Sequence, residues 1–252
     1  WETMTDPVTG KEIVFVNNRM EDFNIKSPSF SQDYNLNYSG GNDKGHYYAG
    51  LGYNKSEGNA IGNYNRRLSF LLNVDYKIKS WLTTISKFNF STTKYKGISP
   101  FTGEENYFSR NFSYPPTFRA YNNNGEMILG KNSGDGNQQF LADAWDNDEN
   151  RQKFMFSQDF KIKPFEDLTI NFKGDWFYEF YNFERFYRTY QTAPGQFNRS
   201  HNSSAQTQRN LTQTYNILLN YNKTFGDHSL SALLGWEYFH SKYGMLSGSG
   251  YN

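Results

Sequence analysis

Hydrophobic and polar residues alternate with a period of two along much of this chain. In the stretch "RLSFLLNVDYKI", residues 67–78, every second residue from Leu68 to Ile78 is hydrophobic, and the alternate residues, beginning with Arg67, are mostly polar or charged. Such alternation predicts a β-strand with one apolar and one polar face. It recurs in eight stretches, at roughly 32–39, 39–58, 64–78, 81–95, 152–163, 168–180, 211–221 and 230–238.

The connections between these predicted strands alternate in length. Four are short and mostly carry turn-forming residues, namely "GGNDKG", "KIKSW", "KPFED" and "FGDHS". The others are "EGNAIGN" and two long segments at about 97–150 and 185–208. In an up-and-down meander every second connection lies on the same side of the sheet, so all the tight turns gather on one side. That asymmetry is typical of outer-membrane β-barrels.

The predicted apolar faces are layered. On 64–78 the face runs from Tyr64 through hydrocarbon side chains to Tyr76, and the stretch ending at Tyr221 repeats the order from Tyr215. Aromatic hydroxyls at both edges of an apolar band form the girdle of a membrane barrel. The alternative is the core of a soluble β-sandwich. Strands in such a sandwich average about five or six residues, whereas several of the stretches in this chain run to a dozen or more. We therefore predict an all-β fold, a transmembrane antiparallel up-and-down β-barrel.

Composition supports this class and weakens others. Aromatic residues make up 19% of the chain while all hydrophobic residues make up only 36%, so aliphatic side chains are too scarce for the core of a soluble α/β enzyme. No run of about 18 apolar residues is present, which argues against a spanning helix. The net charge of +1 gives no indication of a nucleic-acid partner, and the absence of cysteine removes thiol chemistry.

The stretch "SQDYNLNYSGGNDKGHYYAGLGYNKSEGNAIGNYNRRLSFLLNVDYKIKSWLTTISKFNFS" resembles the SusC/RagA family of TonB-dependent outer-membrane transporters. The specific pieces are "SGGNDK", then "YYAGLGYNKSEG", then "NYNRRLSFLLNVDYKIKSWL", and the likeness covers about residues 31–95. Elsewhere it is looser. The resemblance implies a 22-stranded barrel, a plug that contacts the TonB complex, a SusD-like lipoprotein lid, and import of oligosaccharides or peptides across the outer membrane.

The chain departs from that family plan. No plug is recognisable, the first residues lack the basic and apolar regions of a signal peptide, and "LSGSGYN" is not an aromatic-terminated final strand. We therefore expect residues 1–252 to be part of the barrel domain, about eight strands of the larger barrel. We expect its first and last strands to pair with strands outside these residues, and outer-membrane lipid to surround it.

Catalytic and metal motifs are missing from the sequence. The four histidines are scattered without ligand spacing, and no acid–base or nucleophilic constellation is present. The segment "DNDEN" begins like a calcium loop, but Arg151 and Ser157 stand where an EF-hand needs Gly and Glu. A loop calcium ion at Asp146 and Asp148 is therefore a weak candidate, and we expect no other cofactor and no enzymatic activity.

The predicted long loop at 97–150 holds the candidate contact residues. It is rich in aromatic side chains, Asn and Asp, which bind sugars by stacking and hydrogen bonding. The same side chains also pack a loop onto the barrel or onto a lid protein, so both roles stay open. The candidates for substrate or lid contact are Tyr107, Tyr114, Arg119 and Trp145.

Two other classes of protein compete with the importer. One is a small complete outer-membrane barrel with a structural, adhesin-like or lipid-hydrolase role. The other is a soluble, β-rich carbohydrate-binding module. A hydrolase needs a nucleophile and base on adjacent strands, which the pattern does not supply, and a soluble module would not require detergent.

Overall fold

The structure is a computed structural model that describes residues 2–15, 17–97, 103–122, 124–128, 145–193 and 195–251. Strand makes up 73% of it, which confirms the all-β prediction. The helices are α1 (Met20–Asn24) and α2 (Gly103–Ser113). The strands are β1 (Glu2–Thr5), β2 (Glu12–Phe15), β3 (Ser31–Asn42), β4 (Gly45–Glu57), β5 (Tyr64–Lys79), β6 (Leu82–Lys96), β7 (Trp145–Phe165), β8 (Leu168–Tyr187), β9 (Tyr190–Ala193), β10 (Gln196–Asn198), β11 (Asn202–Phe225) and β12 (His228–Tyr251).

Eight of these strands form one antiparallel sheet in the order β3-β4-β5-β6-β7-β8-β11-β12. Each strand pairs with the one that precedes it in this order, as an up-and-down meander requires. The tight turns join β3 to β4, β5 to β6, β7 to β8 and β11 to β12, all at one end of the sheet. The longer connections lie at the other end, called here the loop end, so the predicted sorting of turns and loops is confirmed.

One face of the sheet is apolar across all eight strands. On β3 to β8 and β11 a single row of cross-strand partners along it consists of Leu36, Leu51, Phe70, Phe90, Phe154, Tyr178 and Leu211, and on β12 this row reaches Lys242, beyond the apolar stretch of that strand. Many of these side chains are exposed, among them Leu36 at 69% and Leu51 at 47%. An apolar surface of this extent marks contact with lipid or with another protein.

The apolar band crosses the rows of partners at an angle. Gly50, at the centre of the apolar stretch of β4, shares its row with Ser241 of β12. The apolar stretch of β12, Leu230 to Tyr238, is centred on Leu234 instead. This shift of about seven residues, roughly 23 Å, accumulates over six strand spacings, roughly 29 Å. The strands are thus tilted by about 40° from the normal of the band, within the range of transmembrane barrels.

The strands extend further at the loop end than the sequence pattern predicted. Residues 145–150, predicted as loop, form the start of β7, and the predicted loop at 185–208 contains the end of β8, the β9–β10 hairpin and the start of β11. Beyond the apolar band the residues at these strand ends no longer alternate between hydrophobic and polar. Backbone pairing continues nevertheless, which is why periodicity missed these strand ends.

The sheet does not close on itself within the described residues. Its edges are β3 and β12, which lie at opposite ends of the strand order and do not pair with each other. This agrees with an open wall and not with a self-contained eight-stranded barrel. Neither described helix is long and apolar enough to cross a membrane.

Candidate functional site

The face opposite the apolar one is polar, and its best-formed recess lies near the loop end of β3 to β7. Two adjoining cavities of about 280 and 450 Å³ share Asn65 and Arg67 in their walls. We call this recess the polar groove and define it by Asp33, Asn54, Arg67, Thr93, Arg151 and Lys153.

Strand register assembles the polar groove. Asp33, Asn54, Arg67, Thr93 and Arg151 are successive cross-strand partners on β3 to β7. Because side chains alternate along a strand, this one row brings five polar groups onto the same face although they are far apart in sequence. Alternation along 67–78 predicts Arg67 on the polar face, but no sequence pattern brings these five residues together.

Charges of both signs line the polar groove. Arg151 and Lys153 share the carboxylate of Glu179, at 3.5 and 3.7 Å, and their side chains keep 47% and 44% of their surface exposed. The Arg151 guanidinium also lies 5.1 Å from the centre of the Tyr181 ring. Among the described residues no carboxylate lies within 4 Å of Arg67. The groove can therefore bind charged and hydrogen-bonding groups, and nothing in its geometry indicates bond-making chemistry.

A second well-packed element lies at the loop end and unites three connections. We call it the loop cluster and define it as residues 17–30, 58–63 and the described part of 103–128. Its buried side chains come from all three segments, and they are Met20, Asn24, Ala60, Tyr107, Asn111 and Ala120. Outside the loop cluster, the described chain has little core of its own, because the sheet is a single layer.

Buried polar groups fasten the loop cluster. The Asn24 side chain donates to Oδ1 of Asn111 at 2.7 Å, and Asn111 in turn donates to the backbone oxygen of Tyr107 at 2.7 Å. The Tyr107 hydroxyl closes the ring by donating to the Asn24 backbone oxygen at 2.6 Å. Burial raises the pKa of the Tyr107 phenol. Two further bonds link Asn18 to the backbone oxygens of Pro116 and Phe118.

The four candidate contact residues occupy different environments. Tyr107 is only 1% exposed and packs within the loop cluster. Tyr114 is half-buried against the ring of Phe118, with centroids 4.7 Å apart, and Arg119 is half-buried too. Trp145 is the first residue of β7, and its side chain lies outside the described part of the structure. Contact by Tyr114, Arg119 and Trp145 stays a prediction.

The calcium candidates lie in a strand and not in a loop. Asp146 and Asp148 belong to β7, and Arg188 pairs with the Asp146 carboxylate, its Nε lying 3.0 Å away. Both aspartates line a cavity of about 780 Å³ together with Glu184. Within the described residues no three acidic or histidine side chains are arranged to hold a metal. Calcium binding by Asp146 and Asp148 stays a prediction. The sequence suggested it because the two residues were expected in a loop, and they lie in a strand instead.

The segment before β3 was missed by the sequence analysis. Its helix α1 starts with Met20 and has Phe23 three residues later, with Glu21 and Asp22 in the first turn. Apolar residues spaced by three and acidic residues in the first turn are helix signals. Phe23 also contacts the Tyr121 ring, at 5.8 Å between centroids.

The described sheet thus defines the class of this protein: it is a segment of the wall of a large, tilted, antiparallel β-barrel. No family model matches the chain, and no curated protein matches it. Among solved structures, the chain is similar to the RagAB peptide importer in its "closed-closed" state, with a TM-score of 0.78 and 17% identity. The alignment covers 97% of this chain and 28% of that one.

Two further structures give the same result. The RagAB peptide importer in its "open-open" state matches with a TM-score of 0.78, and the RagAB peptide transporter with 0.77, both at 17% identity and with the same coverage. The chain therefore has the fold of a part of that barrel and spans about 28% of its length. The fold therefore agrees with the resemblance in the sequence to the SusC/RagA family.

Proposed function

We propose that this chain forms part of the barrel wall of a SusC-like, TonB-dependent importer that takes up large nutrients through the outer membrane. One observation carries the proposal: a single-layered sheet has a tilted apolar band on one face and the polar groove on the other. A wall between lipid and a water-filled lumen needs these two faces. The likeness to the RagAB importer over 97% of the chain supports it.

The polar groove faces the lumen in this proposal and contacts the substrate, an oligosaccharide or a peptide. Its cations and carboxylates match the charged termini and side chains of a peptide, and its Asn and Thr side chains match backbone amides. This charge content favours the peptide class. The protein is not an enzyme, since import requires the groove to bind and release its cargo unchanged.

The partners follow from the position of each element. The loop cluster lies at the loop end, where the substrate arrives, and it supplies a surface for a SusD-like lipoprotein. Energy reaches the barrel from the TonB complex through a plug domain outside these residues. The free edges of β3 and β12 pair with other strands of the barrel.

The test uses the full-length gene in its own host. The protein should fractionate with the outer membrane, and loss of the gene should abolish growth on an oligomeric nutrient while growth on the monomer persists. We expect Arg151→Gln to slow growth on a peptide nutrient several-fold at a normal amount of folded barrel, because it removes a groove cation next to Glu179.

Lys161→Gln provides the matched control. Lys161 lies on the same strand and the same face, nearer the tight turn and outside the polar groove. Slower growth with both variants would indicate general damage to the barrel. Normal growth of the deletion strain on every oligosaccharide and peptide supplied would refute the proposed import function.

A further inference from the structure

A row of three cations lies on the apolar face, just beyond its apolar band at the loop end. Lys55, Arg66 and Lys94 are successive cross-strand partners on β4, β5 and β6. The preceding row on the same face contains Tyr53 and Leu68, which are 37% and 41% exposed. This basic row therefore borders directly on exposed hydrocarbon.

The protein balances the charges of the basic row only in part. Like charges placed directly opposite each other on neighbouring strands are destabilising. Glu57 is the carboxylate next to Lys55, at 2.8 Å from its Nζ, and Lys26 binds the same carboxylate. Arg66 lies over the Tyr64 ring, 4.5 Å from its centre. The ring carries no net charge, so this contact does not neutralise the guanidinium.

Acidic side chains from the neighbouring strand do not neutralise the row either. Among the described residues, no carboxylate lies within 4 Å of Arg66 or Lys94. On β7 the partner of Lys94 is the neutral Asn150. The nearest β7 carboxylates on this face, Asp148 and Asp146, come further from the band, and Arg188 holds Asp146. The row therefore keeps a net positive charge, which an external anion can balance.

The depth of the basic row identifies the kind of anion. On a strand tilted by about 40°, each residue advances about 2.5 Å along the membrane normal. Arg66 lies five residues from Leu71, the centre of the apolar stretch from Leu68 to Val74. This spacing puts Arg66 about 13 Å from the midplane. The apolar band of a membrane barrel is about 25 Å tall, so its edge lies at nearly the same distance from the midplane. Arg66 is therefore at the level of the lipid headgroups.

We propose that Lys55, Arg66 and Lys94 bind the phosphate group of an anionic lipid in the outer leaflet. The planar guanidinium of Arg66 suits two phosphate oxygens, and the flanking ammonium groups add charge. Tyr53 and Leu68 then contact the upper part of the acyl chains. The inference rests on the proposed function, since it requires the apolar face to meet the outer membrane.

The test measures binding of phosphorylated lipid A to the full-length protein in detergent by native mass spectrometry. Each cation near an anionic lipid surface contributes about fivefold in affinity, so Arg66→Gln with Lys94→Gln should weaken binding about 30-fold. Wild-type protein should bind dephosphorylated lipid A no better than this variant binds the phosphorylated form. Excess inorganic phosphate should not displace the lipid, because it lacks the acyl chains.

The control variant removes two charges from the other face. Lys87 and Lys173 lie on β6 and β8 with their side chains on the polar face, and Lys87→Gln with Lys173→Gln should bind lipid A as the wild type does. Arg66→Lys with Lys94→Arg keeps the charges and should retain most of the affinity, which separates charge loss from misfolding.

Three results would overturn the inference. They are equal binding by the Gln variant and wild type, equal binding of the dephosphorylated lipid, and displacement by inorganic phosphate, which would indicate a site for free anions. If the protein is absent from the outer membrane, the proposed function fails as well. If it resides there and lipid binding is unchanged, only the lipid inference fails.

Discussion

The adjacent residues Leu71 and Leu72 of β5 allow a matched test of which face meets lipid. They are the same residue type on the same strand, but their side chains lie on opposite faces. Leu72 pairs with Ala49 and Phe88 within the apolar band. Leu71 pairs with Gly50 and Asn89 on the polar face. Arginine at either position adds the same charge and volume, so a difference in effect reports the environment of the face.

The expected magnitude follows from depth. Leu72 is one residue from the centre of the band, about 2.5 Å from the midplane. A lipid-facing arginine at the midplane costs about 2–4 kcal/mol. Since every 1.4 kcal/mol is a factor of ten, Leu72→Arg should lower the ratio of folded to unfolded protein roughly 30- to 700-fold. In the proposed wall Leu71→Arg lies on the water-filled side and should cost less than about 1 kcal/mol, as surface substitutions usually do.

The measurement is guanidinium unfolding of the full-length protein in lipid vesicles, followed by tryptophan fluorescence. The amount of heat-modifiable folded barrel in cells gives an independent check. A clear loss at Leu72 with little change at Leu71 supports the assignment of faces. Equal losses at both positions, or a larger loss at Leu71, would show that the apolar face does not meet lipid.

Two further predictions concern the loop cluster. Asn111→Ala removes two buried hydrogen bonds and should destabilise the cluster by about 1–3 kcal/mol, so limited proteolysis of the loops should become faster while the barrel stays heat-modifiable. The exposed Asn124→Ala is the control, and equal proteolysis of both variants would contradict the network. Because burial raises the pKa of Tyr107, its phenol should ionise at higher pH than exposed tyrosines in an ultraviolet titration. The part of the titration curve that disappears in Tyr107→Phe belongs to Tyr107. If that part lies at the pH where exposed tyrosines ionise, the buried position of Tyr107 is refuted.

Some of the candidate site could be predicted from sequence and some could not. Arg67 was assigned to the polar face because alternation alone separates it from Leu68. The polar groove was not predicted, since Arg67 and Arg151 are far apart in sequence and meet only through register with Thr93. The aromatic content of the long loop left substrate contact and packing both open, because loop composition does not distinguish packing from binding, and only the structure shows that Tyr107 is buried.

The contact between the segment before β3 and helix α2 could not be predicted from the sequence either. Asn24 and Asn111 are 87 residues apart in the chain and form a buried hydrogen bond. Each lies in a short helix without strong periodicity, so the pattern gave no sign that the two connections share a core. Long-range pairs of this kind depend on where the strands between them bring the loops.

The sequence by itself determined the class of this protein, the two faces of its sheet and the side on which the tight turns lie. It could do so because a single-layered sheet with one apolar and one polar face imposes a period of two on each strand separately. Only the tertiary structure decided the strand ends beyond the band, the polar groove, the loop cluster and the basic row of Lys55, Arg66 and Lys94. These depend on cross-strand register, and a slip of one residue would move every side chain to the opposite face. No single strand carries that register in its own pattern.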